Sequence, residues 1–283
     1  MKTLITATEL THRLQAGVTP VLLDCSFELS DPEAGERAWR AGHLPGALYV
    51  HLDRDLAGAK HDAAGRFRGR HPLPERDFLA SRLGELGITP ATPVVCYDAQ
   101  GGPYASRAWW LLRWMGHTDA VVLDGGAAAW REAGGAMTSA VTTPHAAAPY
   151  PALAAAMPTI DADSLLARLG RVQVVDARAG ERFRGEVEPL DKAAGHIPGA
   201  RNRLFKDNLA PDGRFKSSAA LRAEWLPLLA GNDASRIVQQ CGSGVTACHN
   251  LLALAHAGLG DSVLYPGSWS EWSADPARPQ ARG

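Results

Sequence analysis

Short apolar runs alternate with longer segments of helical periodicity along the chain. The apolar runs are of strand length and read PVLLDC, TPVVCYD, AVVLDG, VQVVDAR, RIVQQC and SVLYPG. The segments ERDFLASRLGELG, SRAWWLLRWMGH, SAALRAEWLPLLA and TACHNLLALAHAG have the apolar spacing of helices. Uniformly apolar strands that alternate with helices are typical of a parallel sheet with helices on both faces. The pattern therefore predicts an α/β fold of the doubly wound type, with functional loops at the carboxyl ends of strands.

This arrangement occurs twice. Four segments, VLLDCS, AGHLPGALYV, VVCYDAQGG and LDGGAAAW, return in the same order as VVDAR, AGHIPGARNR, IVQQCGSGV and YPGSWSEW. Internal repetition of this kind indicates one fold used in tandem. We predict two small doubly wound domains over residues 1–135 and 158–283. Residues 136–157 are rich in Ala, Pro and Thr and are predicted to form a surface linker.

Composition narrows the class of protein. A length of 283 residues suits two domains, and 46% apolar with 21% charged residues suits a globular protein. The net charge of -1 gives no general reason to expect nucleic acid or an acidic membrane as partner. The sequence shows neither a signal peptide nor an apolar stretch of membrane-spanning length. Four widely spaced cysteines argue against disulfides and structural zinc, so we expect a cytoplasmic protein without a metal site.

The segment QQCGSGVTACH carries the clearest chemical signal. Cys241 follows an apolar strand, and a predicted helix begins near Thr246. Gly242 and Gly244 allow the backbone to turn its N–H groups inward, and the helix N-terminus adds partial positive charge. Such a loop stabilises an anion, and a cysteine placed there favours its nucleophilic thiolate form. The counterpart of Cys241 in the first repeat is Asp98.

Three other interpretations of this loop are weaker. GSGVTA fits the dinucleotide-binding pattern, but Asp261 precedes the next strand, whereas that site needs an acidic residue at the strand's end. A cysteine phosphatase needs an arginine where this chain has Ala247. A buried, inert cysteine is the plainest alternative. The flanking glycines and the strand-end position favour a nucleophile.

The paired GH[LI]PGA segments, the CGSGVT loop and the duplicated layout resemble the rhodanese superfamily. Within it, the chain is similar to the two-domain sulfurtransferases that use thiosulfate or 3-mercaptopyruvate. The resemblance runs from about residue 4 to about residue 275 and implies two rhodanese-like domains, of which only the second is catalytic. It implies an enzyme in which cysteine accepts a sulfane sulfur as a persulfide and passes it to an acceptor. No cofactor is implied.

The resemblance also implies roles for particular residues. The nucleophile is Cys241, and the loop residues that bind substrate and persulfide are Gly242, Gly244, Val245 and Thr246. Ser243, His71 and Asp53 match a proton relay in which Asp orients the imidazole and the imidazole acts on the hydroxyl. Arg182 matches a substrate-binding arginine, a residue type suited to bidentate binding of a carboxylate. Arg178 is predicted to form a structural ion pair.

For the sulfur donor, the sequence contains signals that point in different directions. The CGSGVT loop lacks the cationic side chains that a thiosulfate dianion favours, and Ser243 suits protonation of the pyruvate enolate that leaves mercaptopyruvate. Mercaptopyruvate enzymes, however, usually carry a second arginine where this chain has Leu190, Asp191 and Lys192. We expect 3-mercaptopyruvate as donor, with thiosulfate as the alternative. Thioredoxin, glutathione or cyanide are the acceptors that the family suggests.

Two other function classes stay open. The chain could be a persulfide carrier for a protein partner, although Arg182 and Ser243 suit a small-molecule donor better. It could also be a redox sensor, which would require Cys241 and Cys248 to come within disulfide distance. Cys248 is predicted to belong to the core. The C-terminal ADPARPQARG is predicted to be a frayed tail.

Overall fold

The structure, a computed structural model, describes residues 2–283 and divides into two compact units. The first unit comprises the chain up to Ala57 together with Pro74–Ala156 and Pro211–Phe215. The second comprises Gly58–Leu73, Met157–Ala210 and Lys216–Gly283. Each unit therefore includes one short segment from the other half of the sequence.

The first unit is built on a five-stranded parallel sheet with the order β1-β5-β4-β2-β3. Its strands are β1 (Leu4–Ile5), β2 (Val21–Asp24), β3 (Leu48–Tyr49), β4 (Val94–Tyr97) and β5 (Ala120–Leu123). Its helices are α1 (Ala7–Gln15), α2 (Ala34–Ala41), α3 (Leu52–Asp55), α4 (Arg76–Glu85), α5 (Pro103–Trp114) and α6 (Gly126–Glu132).

Local sequence explains how this unit forms. All four residues of β4 and of β5 are buried, as expected for strands covered on both faces. Helix α1 begins at a capping box in which the Thr6 hydroxyl accepts the N–H of Glu9 and the Glu9 carboxylate accepts the N–H of Thr6. Pro103 occupies the first turn of α5, where a missing N–H costs nothing.

The second unit repeats the design with a four-stranded parallel sheet of order β7-β6-β8-β9. Its strands are β6 (Gln173–Asp176), β7 (Arg201–Asn202), β8 (Ile237–Gln240) and β9 (Val263–Leu264). Its helices are α7 (Ala162–Leu166), α8 (Gly180–Arg184), α9 (Ser218–Leu229), α10 (Thr246–His256) and α11 (Ser268–Trp272), with 3-10 turns at Phe205–Asn208 and Ala234–Arg236.

The predicted fold class is confirmed. Both sheets are parallel and flanked by helices, and the four segments of helical periodicity correspond to α4, α5, α9 and α10. The predicted frayed tail is wrong. Ala281 pairs with His196 in an antiparallel bridge, and the Trp272 indole donates to the carbonyl of Pro279. The tail is ordered because these contacts satisfy its backbone groups within the second unit.

The loop after β4 shows what the repeated strand-end loop does when no cysteine occupies it. The buried Asp98 carboxylate accepts four backbone N–H bonds, from Gln100 and Gly102 on one oxygen and from Tyr104 and Ala105 on the other, at 2.8–3.0 Å. Burial raises the pKa of the Asp98 carboxyl, and the four N–H donors oppose that shift. In the first unit, an internal carboxylate therefore fills the loop.

We expect Asp98→Ala to lower the free energy of unfolding by about 3 kcal/mol or more, because it leaves several buried N–H groups without an acceptor. Asp98→Asn retains one acceptor oxygen and should recover part of that loss. Urea denaturation of the two variants beside the wild type measures both effects. Equal stability of all three proteins would show that the carboxylate does not hold this loop.

Candidate active site

Cys241 lies in the short loop that joins β8 to α10. Its side chain is only 2% exposed, and its sulfur accepts the backbone N–H groups of Ser243 at 3.4 Å and Gly244 at 3.1 Å. The Cys241 N–H donates to the Ser268 hydroxyl at 3.1 Å, and its carbonyl accepts the N–H of Trp269 at 3.0 Å. The loop thus directs N–H groups at the sulfur and is tied to the start of α11.

Gly244 is required by the shape of this loop. Its φ of +77° lies in the left-handed region, and a Cβ at this position would come 2.4 Å from the carbonyl oxygen of Pro266. Val245 is buried at the N-cap of α10, and Thr246 is the first residue of that helix. The predicted loop residues therefore lie where the sequence places them, between the strand end and the helix N-terminus.

A serine–histidine pair lies next to the cysteine. Nδ1 of His71 is 2.8 Å from the Ser243 hydroxyl, and both side chains are buried. His71 belongs to the segment Gly58–Leu73, which packs as part of the second unit although it precedes α4, α5 and α6 of the first unit in sequence. The structure thus brings together two residues that are 172 positions apart.

Asp53 lies in the first unit, within α3. It is half-buried, and its N–H donates to Nδ1 of His51, the residue that caps this helix. Its role with respect to His71 therefore stays a prediction.

Arg182 lies in α8 and is held by two carboxylates. Its guanidinium donates to Glu188 at 2.7 Å and to Asp191 at 3.1 Å. Arg178 is buried and makes the ion pairs expected of a structural residue, with Asp176 at 2.7 Å and Glu188 at 3.3 Å. The stretch that follows α8 thus supplies acidic partners to the arginines.

Sequence reasoning missed Arg70, which lies next to Arg182. Its guanidinium forms an ion pair with Asp191, and a Cβ built on Gly242 would lie 2.7 Å from Nη2 of Arg70 and 3.6 Å from Nη1 of Arg182. Two guanidinium groups therefore reach the residue after Cys241. The one available signal was that Arg70 immediately precedes His71 in GRHPLP.

All four cysteines are free and buried. The Cys248 thiol donates to the carbonyl of Gly244 at 3.3 Å, an ordinary contact between a helical residue and the turn before it. Over residues 2–283, no group of three or more His, Cys, Asp or Glu side chains is arranged to hold a metal ion. No helix among these residues is long and apolar enough to cross a membrane.

Taken together, these features define a class of protein: an α/β protein in which a buried cysteine at a strand end accepts two backbone N–H groups and lies near two arginine side chains. A family description, "Rhodanese-like domain", matches residues 6–133 and again residues 161–275. The chain belongs to the rhodanese-like family.

Relatives that match nearly the whole chain indicate which activity this member of the family has. A probable 3-mercaptopyruvate sulfurtransferase from Pseudomonas aeruginosa is 46% identical to this chain, and the match covers 99% of this chain and 98% of that protein. A putative thiosulfate sulfurtransferase from Mycobacterium tuberculosis is 43% identical, with 99% and 97% covered. The solved 3-mercaptopyruvate sulfurtransferase from Leishmania major superposes with a TM-score of 0.85 at 31% identity, covering 96% of this chain and 74% of that one. The chain is a sulfurtransferase of this family.

Proposed function

We propose that this sulfurtransferase takes sulfur from 3-mercaptopyruvate, holds it as a persulfide on Cys241, and passes it to a thiol acceptor. One observation carries the proposal. The Cys241 sulfur accepts two backbone N–H bonds beside a buried serine–histidine pair. Such a site suits a sulfur nucleophile and a leaving group that must be protonated.

In the first half-reaction, the Cys241 thiolate attacks the donor sulfur, and a sulfur–sulfur bond forms as the carbon–sulfur bond breaks. The electron pair of the broken bond goes to the leaving pyruvate as its enolate. The Ser243 hydroxyl, hydrogen-bonded to His71, lies two residues from the nucleophile and delivers the proton, which His71 replaces. Arg182 binds the donor carboxylate.

In the second half-reaction, an acceptor thiolate attacks the outer sulfur of the persulfide. The sulfur–sulfur bond breaks, and its electron pair restores the Cys241 thiolate. The N–H groups of Ser243 and Gly244 stabilise the negative sulfur at this stage. Thioredoxin and glutathione are the acceptors we propose, with cyanide as the acceptor convenient for assay.

His71→Ala should lower kcat with 3-mercaptopyruvate by about 100-fold, the usual contribution of a positioned acid or base. The loss with thiosulfate should be much smaller, because sulfite leaves as a stable anion that needs no proton. Initial rates with both donors, for the wild type and the variant, test this. Equal losses with the two donors, or no loss, would remove His71 from the mechanism.

We also propose that Asp53 orients His71, so Asp53→Asn should show the same donor dependence as His71→Ala.

Thiosulfate is the second candidate donor, and one observation favours it. Two guanidinium groups, those of Arg70 and Arg182, approach Gly242, and a pair of cations suits a dianion. We nevertheless favour 3-mercaptopyruvate, since protonation by a serine–histidine pair serves only that donor.

We also propose two rhodanese-like domains over residues 1–135 and 158–283, with 136–157 as the linker. The absence of any helix or strand between Glu132 and Ala162 supports that division.

We further propose a cytoplasmic location. Four free, buried cysteines support it, because reducing compartments keep thiols free.

A further inference from the structure

We infer that Ser268 is a positioning residue for Cys241, held in a strained backbone conformation so that its hydroxyl fixes the backbone of the cysteine. The inference rests on the proposed function, in which Cys241 is the nucleophile. It assigns a part in the reaction to a buried residue that begins α11, 27 positions after the cysteine in sequence.

The backbone of Ser268 is the first ground for this assignment. Its φ is +53°, in the left-handed region that residues with a Cβ avoid. Within residues 2–283, Ala230 is the one other non-glycine residue with a positive φ, and it lies at the C-cap of α9, where this conformation is common. Ser268 instead begins a helix. Strain of this kind persists where surrounding contacts hold the residue in place, and it is concentrated at functional sites.

The first repeat shows that glycine suits this position. Gly126 is the counterpart of Ser268 in the repeated segments LDGGAAAW and YPGSWSEW, and it begins α6 with a φ of +57°. A Cβ on Gly126 would lie 2.1 Å from the carbonyl oxygen of Asp98, the counterpart of Cys241. Both units therefore use the same left-handed conformation at the start of this helix, but the second unit places a side chain on it.

The hydroxyl is what the serine adds at this position. It accepts the N–H of Cys241 at 3.1 Å and donates to the carbonyl of Tyr265 at 2.9 Å. Ser268 is fully buried, so its hydroxyl acts where an unpaired N–H group is costly. Glycine would allow the same backbone conformation without strain, but it would remove the acceptor for the Cys241 N–H.

The next two residues of α11 hold the rest of the cysteine loop. The Trp269 N–H donates to the carbonyl of Cys241 at 3.0 Å, and the Ser270 N–H donates to the carbonyl of Gly242 at 2.9 Å. Together with the Ser268 hydroxyl, these bonds hold both backbone polar groups of the cysteine. Its sulfur is thereby kept at the two N–H groups that donate to it, which is the preorganisation that a negative sulfur requires.

Ser268→Ala and Ser268→Gly should each lower kcat with 3-mercaptopyruvate about 10-fold, the effect of losing one hydrogen bond of ordinary strength. The KM should stay within about threefold of the wild type, because both partners of the hydroxyl are backbone groups of the protein. Glycine also relieves the strain, so Ser268→Gly should melt about 2–4 °C above Ser268→Ala.

Ser262→Ala is the matched control. Ser262 is another fully buried serine of the second unit, and its hydroxyl donates to the carbonyl of Ala234 at 2.8 Å. Its removal deletes a hydrogen bond of the same kind without touching the cysteine loop, so kcat should stay within about threefold of the wild type.

Alkylation by iodoacetamide, followed by peptide mass analysis, tests the positioning of Cys241 without any sulfur donor. Both Ser268 variants should react at Cys241 about 10-fold more slowly than the wild type at neutral pH, because the sulfur is less well held as a thiolate. The other three cysteines are buried and serve as internal controls. Structural damage would instead make all four cysteines react faster.

Wild-type kcat and alkylation rate in Ser268→Gly would overturn the inference, because glycine lacks the hydroxyl. Faster alkylation of all four cysteines in the variants, or a loss confined to KM, would overturn it as well. Slower alkylation of Cys241 in both variants would support the role of Ser268 even if the wild type does not turn over 3-mercaptopyruvate. Turnover by the wild type, combined with unchanged Ser268 variants, would leave the proposed function intact and reject that role.

Discussion

Replacing Cys241 with serine is expected to abolish sulfur transfer, lowering kcat by at least about 10⁴-fold with either donor. A serine hydroxyl is almost fully protonated at neutral pH and forms no persulfide. The loop whose N–H groups donate to the sulfur would remain, because those groups belong to the backbone of Ser243 and Gly244. Donor binding should therefore survive while turnover is lost. Initial rates and donor titration measure the two effects separately.

Cys248→Ser is the matched control for this variant. Cys248 is buried in α10, and a hydroxyl can donate to the Gly244 carbonyl as the thiol does. Its activity should stay within about threefold of the wild type, in line with a small change in a hydrogen bond. A loss comparable to that of Cys241→Ser would instead support a two-cysteine redox role.

The second large effect is expected at Gly244. In Gly244→Ala, the φ of +77° is strained, and the new methyl group would lie 2.4 Å from the Pro266 carbonyl oxygen. The loop must move, and the N–H that now lies 3.1 Å from the Cys241 sulfur moves with it. We expect kcat to fall about 10²–10³-fold, as when one preorganised donor is removed from an active site. Steady-state kinetics at a temperature where the variant is folded measures this.

Gly258→Ala is the control that separates the effect of backbone strain from the effect of a steric clash. Gly258 follows α10 in the same unit with a φ of +67°, and a Cβ there would meet nothing within 4 Å. This variant should lose about 1 kcal/mol of stability and keep its activity. If Gly244→Ala retained wild-type kcat, the N–H of Gly244 would have no part in catalysis.

The fold could be predicted from sequence because its signals are local and repeated. Strands such as β4 and β5 are continuous apolar runs, and α5 and α10 each show the apolar spacing of a helix within their own few turns. The repeated segments then fixed the tandem arrangement. The loop after β8 was also accessible, because a strand, a cysteine and two glycines stand next to one another in the sequence.

The rest of the site depends on contacts between residues far apart in sequence. Arg70 and Asp191 are separated by 121 positions, and nothing in the spacing of either indicates the other. The segment Gly58–Leu73 packs with the second unit. No change of composition along the sequence predicts this. The family resemblance directed attention to a missing arginine near Asp191. The structure shows a carboxylate there, paired with an arginine from elsewhere in the chain.

The two strand-end loops differ in the group that accepts their backbone N–H bonds. After β4, the Asp98 carboxylate accepts four N–H groups and satisfies the loop internally. After β8, the corresponding residue is Cys241, whose sulfur accepts two N–H groups. Backbone N–H groups at the strand end thus contact a side-chain carboxyl in one unit and a cysteine sulfur in the other, as expected if only the second loop holds a nucleophile.

The most direct test of the central claim is a single-turnover reaction of the wild-type protein with 3-mercaptopyruvate in the absence of acceptor. Intact-mass and peptide analysis should show one added sulfur atom, on Cys241, with one equivalent of pyruvate released. Added thiol should then remove that sulfur. Pyruvate release without a modified Cys241, or sulfur on another cysteine, would contradict the account.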